Sequence, residues 1–575
     1  MKDSGSVLDV KGLTVSFDSA VGSTTAVQDV SFEVHRGETL AIVGESGSGK
    51  SVTSLAIMQL LPTKTAYIDS GTVRYHEPTE SEPIDLIALS EQGIIKYRGA
   101  KVAMIFQEPM SALNPSHKCG RQVAEMLQIH TDFANIDIKA KVLHMFEQVD
   151  LPQPDRIYDS YPHQLSGGQL QRVMIAMAII CEPDVLIADE PTTALDVTVQ
   201  RHILQLLSDL KDNNGISTVF ITHDLGLVRQ IADRVIVMKQ GEIVEQGSTD
   251  QIFEQPRQPY TKGLIACRPP LTERYTRLPV VSDFLQSDVT VQEVIEPLRE
   301  TAAQYRDRQS IVASRPVLLQ AEHVSKHYVT TRDFFGRAVS VVKAVDDVSF
   351  SLRQGETLGL VGESGCGKSS LAKVLLRLTE ATAGTITFAG KDILSMPNAD
   401  MRKLRKDYQI IFQDPYGSLN PRMTVGRAIQ EPMGIHGIGG SKSDRKAMVI
   451  NLLEKVGLAA GHYDRYPHQF SGGQRQRVCI ARALGLQPKF ILCDESVSAL
   501  DVSVQAQVLN LLKDLRDEFN LSYLFISHDL SVVKHISDRI MVMQAGKIVE
   551  TGDAISIIDN PQQQYTQELI AAIPH

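Results

Sequence analysis

The sequence predicts an α/β protein made of two tandem domains, each with a mixed sheet covered by helices. The chain has 575 residues, which is too long for a single hydrophobic core. A series of motifs in the first half recurs in the second half in the same order. Within each half, apolar runs of strand length alternate with helical patterns, which is typical of parallel or mixed sheets.

The repeat defines the domain organisation. The matching blocks are 27–51 and 345–369, 105–115 and 411–421, 161–173 and 466–478, 188–200 and 493–505, 220–225 and 525–530, and the tails 259–266 and 564–571. The first copy carries an extra polar stretch around residues 74–90, which predicts a surface insertion. We therefore predict domains at 1–270 and 317–575, joined by a linker over 271–316 that acts as a tether.

The strands and helices follow from local patterns. The run "TLAIV" (39–43) predicts a buried strand, and after a glycine-rich turn "KSVTSLAIMQLL" (50–61) predicts a buried helix that ends at Pro62. "VLIA" (185–188) and "TVFIT" (218–222) predict further buried strands. An acid at the end of such a strand lies at the carboxyl edge of the sheet.

Composition narrows the function classes. The formal net charge is −10, which argues against nucleic-acid binding, a task that needs clustered Lys and Arg. The six cysteines form no C-x-x-C pair, a usage that suits a reducing cytoplasm. The sequence shows neither a signal peptide nor an apolar run long enough to cross a membrane. A membrane role would therefore operate through a partner.

Both copies contain a phosphate-binding pattern, "GESGSGKS" and "GESGCGKS", between a predicted strand and a predicted helix. The glycines allow backbone N–H groups to wrap phosphates, and the helix N-terminus favours negative charge. Lys50 and Lys368 are predicted to reach the β- and γ-phosphates, and the serine after each lysine to ligate Mg²⁺. The predicted phosphate-loop residues are Gly44, Glu45, Ser46, Gly47, Ser48, Gly49, Lys50, Ser51, Gly362, Glu363, Ser364, Gly365, Cys366, Gly367, Lys368 and Ser369.

Two acids end the apolar strands "VLIADE" and "FILCDE". Behind a phosphate loop, the aspartates Asp189 and Asp494 suit Mg²⁺, directly or through water. The glutamates Glu190 and Glu495 suit polarisation of the attacking water.

The motifs "LSGGQ" and "FSGGQ" each precede an apolar-rich helix. The serine is a good helix cap and the glycines leave backbone exposed, so such a helix start can bind an anion. The predicted residues are Ser166, Gly167, Gly168, Gln169, Ser471, Gly472, Gly473 and Gln474.

Together these motifs resemble those of the ATP-binding cassette (ABC) ATPases, and the resemblance covers both halves nearly end to end. "LSGGQ" and "FSGGQ" look like the family's signature sequence, its most specific mark. The family implies two P-loop NTPase domains, each with a RecA-like mixed-sheet core, an antiparallel β subdomain and a helical signature subdomain, with ATP and Mg²⁺ as cofactors. By resemblance, Gln107 and Gln413 match the Q-loop glutamine that touches Mg²⁺ and senses the transporter side, His223 and His528 the switch histidine, Asp196 and Asp501 the D-loop, and Phe17 and Tyr328 an adenine-stacking aromatic.

The family's cassettes pack head to tail, so that each ATP lies between the phosphate loop of one and the signature of the other. The resemblance implies one site from residues 44–51 with 471–473, and a second from 362–369 with 166–168. Both copies keep the lysine, glutamine, aspartate, glutamate and histidine, so we predict two hydrolytic sites.

The second copy departs from the family pattern at two places. Ser496-Val497 stand where the first copy has Pro191-Thr192, which removes no catalytic group. Cys366 stands where the first phosphate loop has Ser48. Because a thiol near a helix N-terminus is expected to have a lowered pKa, alkylation of Cys366 is predicted to inhibit, and ATP to protect it.

Further features are similar to ATPases of dipeptide, oligopeptide and nickel importers: "QEPMSALNP" and "QDPYGSLNP", "YPHQ" before each signature, and the repeated "YT…L" tail. The fused arrangement looks most like the ATPase of microcin C-type peptide importers. This resemblance implies two separate permease subunits, an extracytoplasmic substrate-binding protein, no direct contact with nucleic acid, and a peripheral location at the cytoplasmic face of the inner membrane. Cys267 stands alone after the first cassette, so the iron–sulfur cluster of some relatives is not expected.

Two other functions stay open from the sequence. One is a soluble twin-cassette ATPase that acts on ribosomes, although such proteins usually join their cassettes by a long charged helix. The other is a structural clamp that binds ATP without turnover, against which Glu190 and Glu495 argue. The transported cargo, whether a peptide, a peptide-like antibiotic or a nickel chelate, is not encoded in these motifs.

Overall fold

The computed structural model describes residues 5–19, 22–77, 82–192, 197–285, 290–332 and 338–573. The chain forms two compact units, one made mainly of the chain up to Ile265 and the other mainly of Ala266–Ile573. Each unit holds a six-stranded sheet and a four-stranded antiparallel sheet, together with a helical region. The predicted α/β class and its duplication are confirmed.

The elements of the first unit alternate as the apolar patterns predict. Its strands are β1 (Ser6–Ser19), β2 (Gly22–His35), β3 (Thr39–Val43), β4 (Ala66–Tyr75), β5 (Ile84–Asp85), β6 (Val102–Ile105), β7 (Val185–Asp189), β8 (Ser217–Thr222), β9 (Arg234–Lys239) and β10 (Glu242–Ser248). Its helices are α1 (Lys50–Ile57), α2 (Glu91–Ile94), α3 (Pro109–Ala112), α4 (Cys119–His130), α5 (Asn135–Gln148), α6 (Pro154–Asp159), α7 (Gly167–Ile179), α8 (Val197–Asn214), α9 (Leu225–Ile231), α10 (Thr249–Glu254) and α11 (Pro259–Ala266).

The larger sheet of this unit has the order β10-β9-β3-β8-β7-β6, with β10 antiparallel to β9 and the other neighbours parallel. The strands β3, β7 and β8 are buried along their whole length, which explains their continuous apolar runs. Because these three strands are neighbours, the segments that follow them meet at one edge of the sheet.

The second unit begins with the helices α12 (Val291–Ile295) and α13 (Ala302–Ser314). Its strands are β11 (Val317–Arg332), β12 (Ala338–Arg353), β13 (Thr357–Val361), β14 (Ala383–Phe388), β15 (Lys391–Asp392), β16 (Tyr408–Ile411), β17 (Phe490–Asp494), β18 (Ser522–Ile526), β19 (Arg539–Gln544) and β20 (Lys547–Asp553). Its other helices are α14 (Lys368–Leu375), α15 (Asn398–Leu404), α16 (Pro415–Ser418), α17 (Val425–Ile435), α18 (Lys442–Lys455), α19 (Gly472–Leu484), α20 (Val502–Phe519), α21 (Leu530–Ile536), α22 (Ala554–Asp559) and α23 (Gln564–Ala571). The large sheet repeats the first topology, in the order β16-β17-β18-β13-β19-β20.

The extra stretch of the first copy is partly a core element. Tyr75 at the end of β4 is fully buried, and its hydroxyl donates a hydrogen bond to Asp184 Oδ2 at 2.5 Å. Leu86, on the far side of the stretch, is also buried. Residues 78–81 lie outside the described ranges. The ends of the predicted surface insertion therefore pack into the protein.

The predicted linker packs against the second unit. Arg274 is buried, and its Nε donates to Glu300 Oε2 at 3.0 Å. Its Nη2 donates to the backbone oxygens of His535 and Ser537, at the end of α21, at 3.2 and 3.0 Å. Arg308 lies 3.5 Å from Asp538, whose side chain is fully buried. Residues 271–285 and 290–316 are therefore docked on the cassette that follows them.

An asparagine completes this docking. Asn510 on α20 accepts a hydrogen bond from the Leu278 backbone N–H and donates one to the Leu278 backbone oxygen, both at 2.8 Å. Both residues are buried. The asparagine amide thus satisfies both backbone groups of Leu278, as a neighbouring strand would. Among the described residues, no helix combines the length and apolar character needed to cross a bilayer.

We expect Asn510→Ala to release the docked segment, because it leaves a buried N–H and a buried carbonyl without partners. The cost is about 2 kcal/mol. Denaturant unfolding and limited proteolysis after residue 266 measure it. The matched control is Gln205→Ala on α8, since Gln205 occupies the corresponding position and is exposed. Equal proteolysis of both variants would contradict the docking role.

Candidate functional site

The two phosphate loops begin where β3 and β13 end. Lys50 is buried, and its Nζ donates to the backbone oxygens of Gly44 and Glu45 at 2.8 and 2.9 Å. Lys368 makes the same pair of contacts at 2.7 and 2.8 Å. Each lysine is therefore held over its own loop, with its ammonium at the place where phosphates are expected.

The first glycine of each loop has a steric role. Gly44 has φ +152°, and a Cβ atom there would lie 2.2 Å from the backbone oxygen of Met238. Gly362 has φ +154° and would meet Met543 at the same distance. No side chain fits at these positions, so the loop backbone can pass close to the neighbouring strand and turn its N–H groups inward.

The serine and the aspartate predicted to bind Mg²⁺ lie together in each unit. Ser51 Oγ donates to Asp189 Oδ1 at 3.1 Å. Burial raises the pKa of Asp189 to about 6, and the nearby charge of Glu190 adds to this, while the bond from Ser51 opposes it. Burial also raises the pKa of Asp494. Within the described chain, the buried Oδ1 of Asp494 has no hydrogen-bond partner.

These observations fit a hard cation. A buried carboxylate oxygen without a partner is costly unless something positive binds it. Ser and Asp oxygens are ligands that Mg²⁺ accepts, alongside phosphate oxygens and water. A divalent ion bound beside Asp189, and a second one beside Asp494, would favour the charged form of each aspartate.

Each predicted catalytic glutamate lies beside the predicted Q-loop glutamine and the predicted switch histidine of its own unit. Gln107 Nε2 donates to Glu190 Oε2 at 2.8 Å, and His223 Nδ1 lies 3.1 Å from Glu190 Oε1. In the second unit, Gln413 Nε2 donates to Glu495 Oε2 at 2.8 Å, and the His528–Glu495 distance is 3.8 Å. In the first unit, the fold thus brings Glu190 into contact with Gln107 and His223, which are 83 and 33 residues away in the sequence, at one edge of the sheet.

The backbone at these glutamates is unusual. Glu190 has φ +47° and Glu495 has φ +46°. The left-handed region is unfavourable for residues with a Cβ atom, and such strain is typical of functional sites. In both units the chain turns sharply after the strand, which places the glutamate beside the glutamine and the histidine.

The second unit shows a charge-coupled pair. The interaction with His528 lowers the pKa of Glu495. Burial acts to lower the pKa of His528, but the carboxylate of Glu495 outweighs it, and the net direction is upward. The glutamate is therefore held charged, in the form that can accept a proton.

The signature serines cap their helices. Ser166 Oγ accepts from the Gln169 backbone N–H at 3.4 Å, and Gln169 Oε1 accepts from the Ser166 N–H at 3.1 Å. Ser471 and Gln474 form the same reciprocal pair. Both glutamines are thus engaged in capping.

The two signature glycines differ in role. A Cβ atom at Gly472 would meet nothing within 4 Å, whereas one at Gly473 would lie 2.2 Å from Val504 Cγ1. Gly167 is likewise open, and Gly168 likewise faces Val199, at 3.2 Å. The first glycine therefore leaves the helix start accessible, and the second packs the helix against α8 or α20.

The other residues predicted to bind nucleotide make no contact with the phosphate loops among the described hydrogen bonds and ring contacts. Phe17 is partly buried and packs on the apolar cluster of the first unit. Tyr328 is 38% exposed, with the Lys326 ammonium 5.0 Å above its ring. Asp501 is the cap residue of α20 without a side-chain capping bond. Asp196 lies outside the described residues.

The structure adds two residues that the sequence analysis did not assign to the site. The Tyr260 hydroxyl accepts from the Glu45 backbone N–H at 3.3 Å, and the Tyr565 hydroxyl accepts from the Glu363 N–H at 3.1 Å. These tyrosines belong to the repeated "YT" tails. The only sequence feature that could have identified these tyrosines is the recurrence of the "YT" motif in both tails. Nothing within the motif itself indicates a contact with the phosphate loops.

The expectation for the Cys366 thiol was wrong in direction. Cys366 is 9% exposed, and burial raises its pKa, although Lys368 lies nearby with its Nζ 3.8 Å from Sγ. Desolvation of the thiolate thus outweighs the helix N-terminus and the lysine. Ser48 occupies the same place in the first loop, 3.5 Å from Lys50 Nζ.

We expect Cys366 to be alkylated slowly at neutral pH and faster as the pH rises, because the thiolate is the reactive form and its pKa is raised. Mass spectrometry of labelled peptides measures the rate. Cys366→Ser should keep ATP hydrolysis within about twofold, since serine is already accommodated in the first loop. Rapid labelling at neutral pH, or loss of activity in Cys366→Ser, would contradict this view of the loop.

We also expect Glu495→Gln to lower the pKa of His528 below the ordinary histidine value. The carboxylate that raises this pKa is removed, while the burial that lowers it remains. NMR titration of labelled histidine measures the shift. Glu190→Gln is the matched control, since its own contact is with His223. An unchanged His528 titration in Glu495→Gln would show that the pair is not coupled.

The fold and site define a class: a P-loop ATPase with two cassettes, each of which has a signature helix. The model of the ABC transporter family matches residues 27–193 and 345–498, and that of the oligopeptide/dipeptide transporter C-terminal region matches 244–286 and 549–575. The chain belongs to the ABC transporter family as a tandem-cassette ATPase of the peptide-importer type.

Named relatives agree over the whole chain. The glutathione import ATP-binding protein GsiA of Salmonella typhimurium strain LT2 is 48% identical over 573 residues, which is 100% of this chain and 90% of that protein. GsiA of Escherichia coli strain K12 is 47% identical over 580 residues, with the same two coverages. A solved dimeric cassette, MJ0796 bound to ADP and Pi, is 26% identical and covers 41% of this chain and 99% of its own, with a TM-score of 0.38.

Proposed function

We propose that this chain hydrolyses ATP to drive import of di- or oligopeptides, or of peptide-like compounds such as those of the microcin C type, across the cytoplasmic membrane. The observation that carries the proposal is that both units hold a complete and equivalent set of lysine, serine, glutamine, aspartate, glutamate and histidine. The oligopeptide/dipeptide C-terminal region recurs behind both sets and supports the cargo class. The relatives named for glutathione import support a short peptide in particular.

Within each site the residues divide the chemistry. Lys50 and Lys368 hold the β- and γ-phosphates once they are drawn from their loop oxygens. The serine after each lysine, the aspartates and the Q-loop glutamines would hold Mg²⁺, which would supply charge neutralisation for the phosphates.

The glutamates act on water. Glu190 and Glu495 accept a hydrogen bond from the attacking water and align its oxygen with the γ-phosphorus. His223 and His528 hold the glutamate side chain from one side and contact the γ-phosphate from the other. The contact with the glutamine means that a shift of the Q-loop also shifts the carboxylate, which makes hydrolysis sensitive to the transporter.

We propose two composite sites, with residues 44–51 facing 471–473 and residues 362–369 facing 166–168. The accessible helix starts at Gly167 and Gly472 support this arrangement, because a γ-phosphate can approach them without side-chain interference. Two cassettes in one chain meet intramolecularly, at an effective concentration of about millimolar. ATP then favours closure, and loss of the γ-phosphate releases it.

The proposed partners are two polytopic permease subunits and an extracytoplasmic substrate-binding protein. The chain would bind the permeases from the cytoplasmic face of the inner membrane as a peripheral subunit. The exposed apolar side chains next to the Q-loop turns, Met110 and Tyr416, support a partner surface there. Cargo selection then resides in the partners.

The test is the double variant Glu190→Gln, Glu495→Gln, purified from native membranes with ATP. We expect ATP turnover to fall by about a hundredfold or more, because the group that orients water is lost. We also expect two polytopic permease subunits to copurify, since the ATP-bound closed form accumulates. Quantitative mass spectrometry and a phosphate-release assay measure both.

The matched control is Glu147→Gln, Glu454→Gln, which changes two exposed glutamates at corresponding positions of the signature subdomains. It should hydrolyse ATP normally. Ribosomal proteins without a permease would overturn the importer proposal in favour of a translation ATPase. Undiminished turnover in the double variant would overturn the assigned role of the glutamates.

A further inference from the structure

We infer that Tyr416 and Arg475 are positioning residues that lock the Q-loop turn of the second unit to its signature helix. The ATP site that includes Ser471 would then respond to movement of the second unit's Q-loop. The ATP site that includes Ser166 would not be coupled in this way to the first unit's Q-loop. The part about ATP sites rests on the composite sites proposed above.

The central contact is a stacked pair. The guanidinium carbon of Arg475 lies 3.6 Å from the centre of the Tyr416 ring. Tyr416 follows Gln413 by one short turn, in α16, and is 64% exposed. Arg475 lies in the first turn of α19 and is 6% exposed. A cation on an aromatic face is an electrostatic contact with a preferred geometry.

Arg475 is itself fixed. Its Nε donates to the backbone oxygen of Pro467 at 2.6 Å, in the turn that precedes the signature. Its backbone N–H donates to the Ser471 oxygen at 2.9 Å. Arg475, a residue of the signature helix, therefore connects that helix to the pre-signature turn and to the Q-loop turn through its guanidinium.

Two more contacts hold the same short turn. Arg482, seven residues after Arg475 and so on the same face of α19, donates to the backbone oxygen of Ser418. Asp414 accepts from the backbone N–H groups of Tyr416 and Gly417 at 2.7 and 3.0 Å. The turn is thus fastened by directional polar bonds at its start, middle and end.

The first unit has apolar residues at these places. Met110 corresponds to Tyr416, Leu170 to Arg475 and Met177 to Arg482. Leu170 is buried in the apolar cluster of that unit. Glu108, which corresponds to Asp414, makes no side-chain capping bond. Apolar side chains at these places offer no directional polar bond between the turn and the signature helix.

The consequence is mechanical. In the second unit, a shift of the Q-loop turn that kept α19 still would break the stack and the Arg482 bond. The turn and the signature helix therefore move together. Permease movement at the second Q-loop would displace Ser471–Gly473, and with it the γ-phosphate contact of the nucleotide on residues 44–51.

Hydrogen–deuterium exchange of the full-length chain tests the physical link without nucleotide. Tyr416→Met should speed exchange of the amides of residues 413–418 by about fivefold, because the stack is lost. Tyr416→Phe keeps a ring face and should exchange like the wild type. Met110→Tyr is the matched control and should leave residues 107–112 unchanged, because Leu170 offers no cation. Equal exchange in Tyr416→Met and wild type would overturn the link.

ATP binding in a one-site background tests transmission. Lys368→Ala disables the second phosphate loop, so ATP remains on residues 44–51. We expect ATP to protect residues 471–474 and 413–418 together, and Tyr416→Met to abolish protection of 413–418 alone. In Lys50→Ala, ATP should protect 166–169 without 107–112.

The outcomes separate the two proposals. Protection of 471–474 without 413–418 in Lys368→Ala would overturn transmission through Arg475 while the composite site stands. No protection of 471–474 would overturn the composite site and the transmission with it. The nucleotide-free comparison of Tyr416→Met with Tyr416→Phe would still decide the physical link.

Discussion

The chemistry of this protein depends on three adjacent parallel strands that end at the same edge of a sheet. The phosphate loop follows β3, the Asp-Glu pair lies at the end of β7, and His223 follows β8. The order β3-β8-β7 brings together groups that are far apart in the chain. Each of these strands is hydrogen-bonded to a parallel neighbour on both sides, which fixes the register of their ends. With other strands between them, the same motifs would lie at the same edge but too far apart to touch.

The pKa values of the acidic groups at this edge are shifted in opposite directions. Burial raises the pKa of the aspartates, while the histidine keeps the neighbouring Glu495 charged. The candidate Mg²⁺ ligands and the candidate catalytic glutamate thus lie in opposite electrostatic surroundings. A left-handed backbone at the glutamate separates the two carboxylates, although they are consecutive in the chain.

The two copies share their chemistry and differ in their supports. The candidate catalytic groups recur at equivalent places, although the histidine–glutamate distance is 3.1 Å in the first unit and 3.8 Å in the second. The residues behind them have diverged further. Asp538 is fully buried under the inter-cassette segment, but its counterpart Asp233 is half exposed and pairs with Lys211. In the second unit Tyr416 is stacked on Arg475, whereas the corresponding residues of the first unit, Met110 and Leu170, are both apolar. The duplication has thus kept the candidate catalytic residues in both halves and surrounded them with different supporting contacts.

The sequence by itself determined the duplication, the α/β class and the family, and it predicted most residues of the candidate site. Local patterns suffice there, since a phosphate loop or a capped helix start is written in consecutive residues. Tertiary structure alone decided the rest. From composition, residues 271–316 are predicted to be a linker. In the structure, hydrogen bonds of Arg274 and Asn510, each spanning more than 200 residues of sequence, dock this segment on the second unit. Helix position suggested a reactive Cys366, but surrounding atoms bury the thiol and raise its pKa. Tyr260 and Tyr565 reach the phosphate loops through the same kind of distant contact. Burial and long-range hydrogen bonds depend on which surfaces meet, and no local pattern records that.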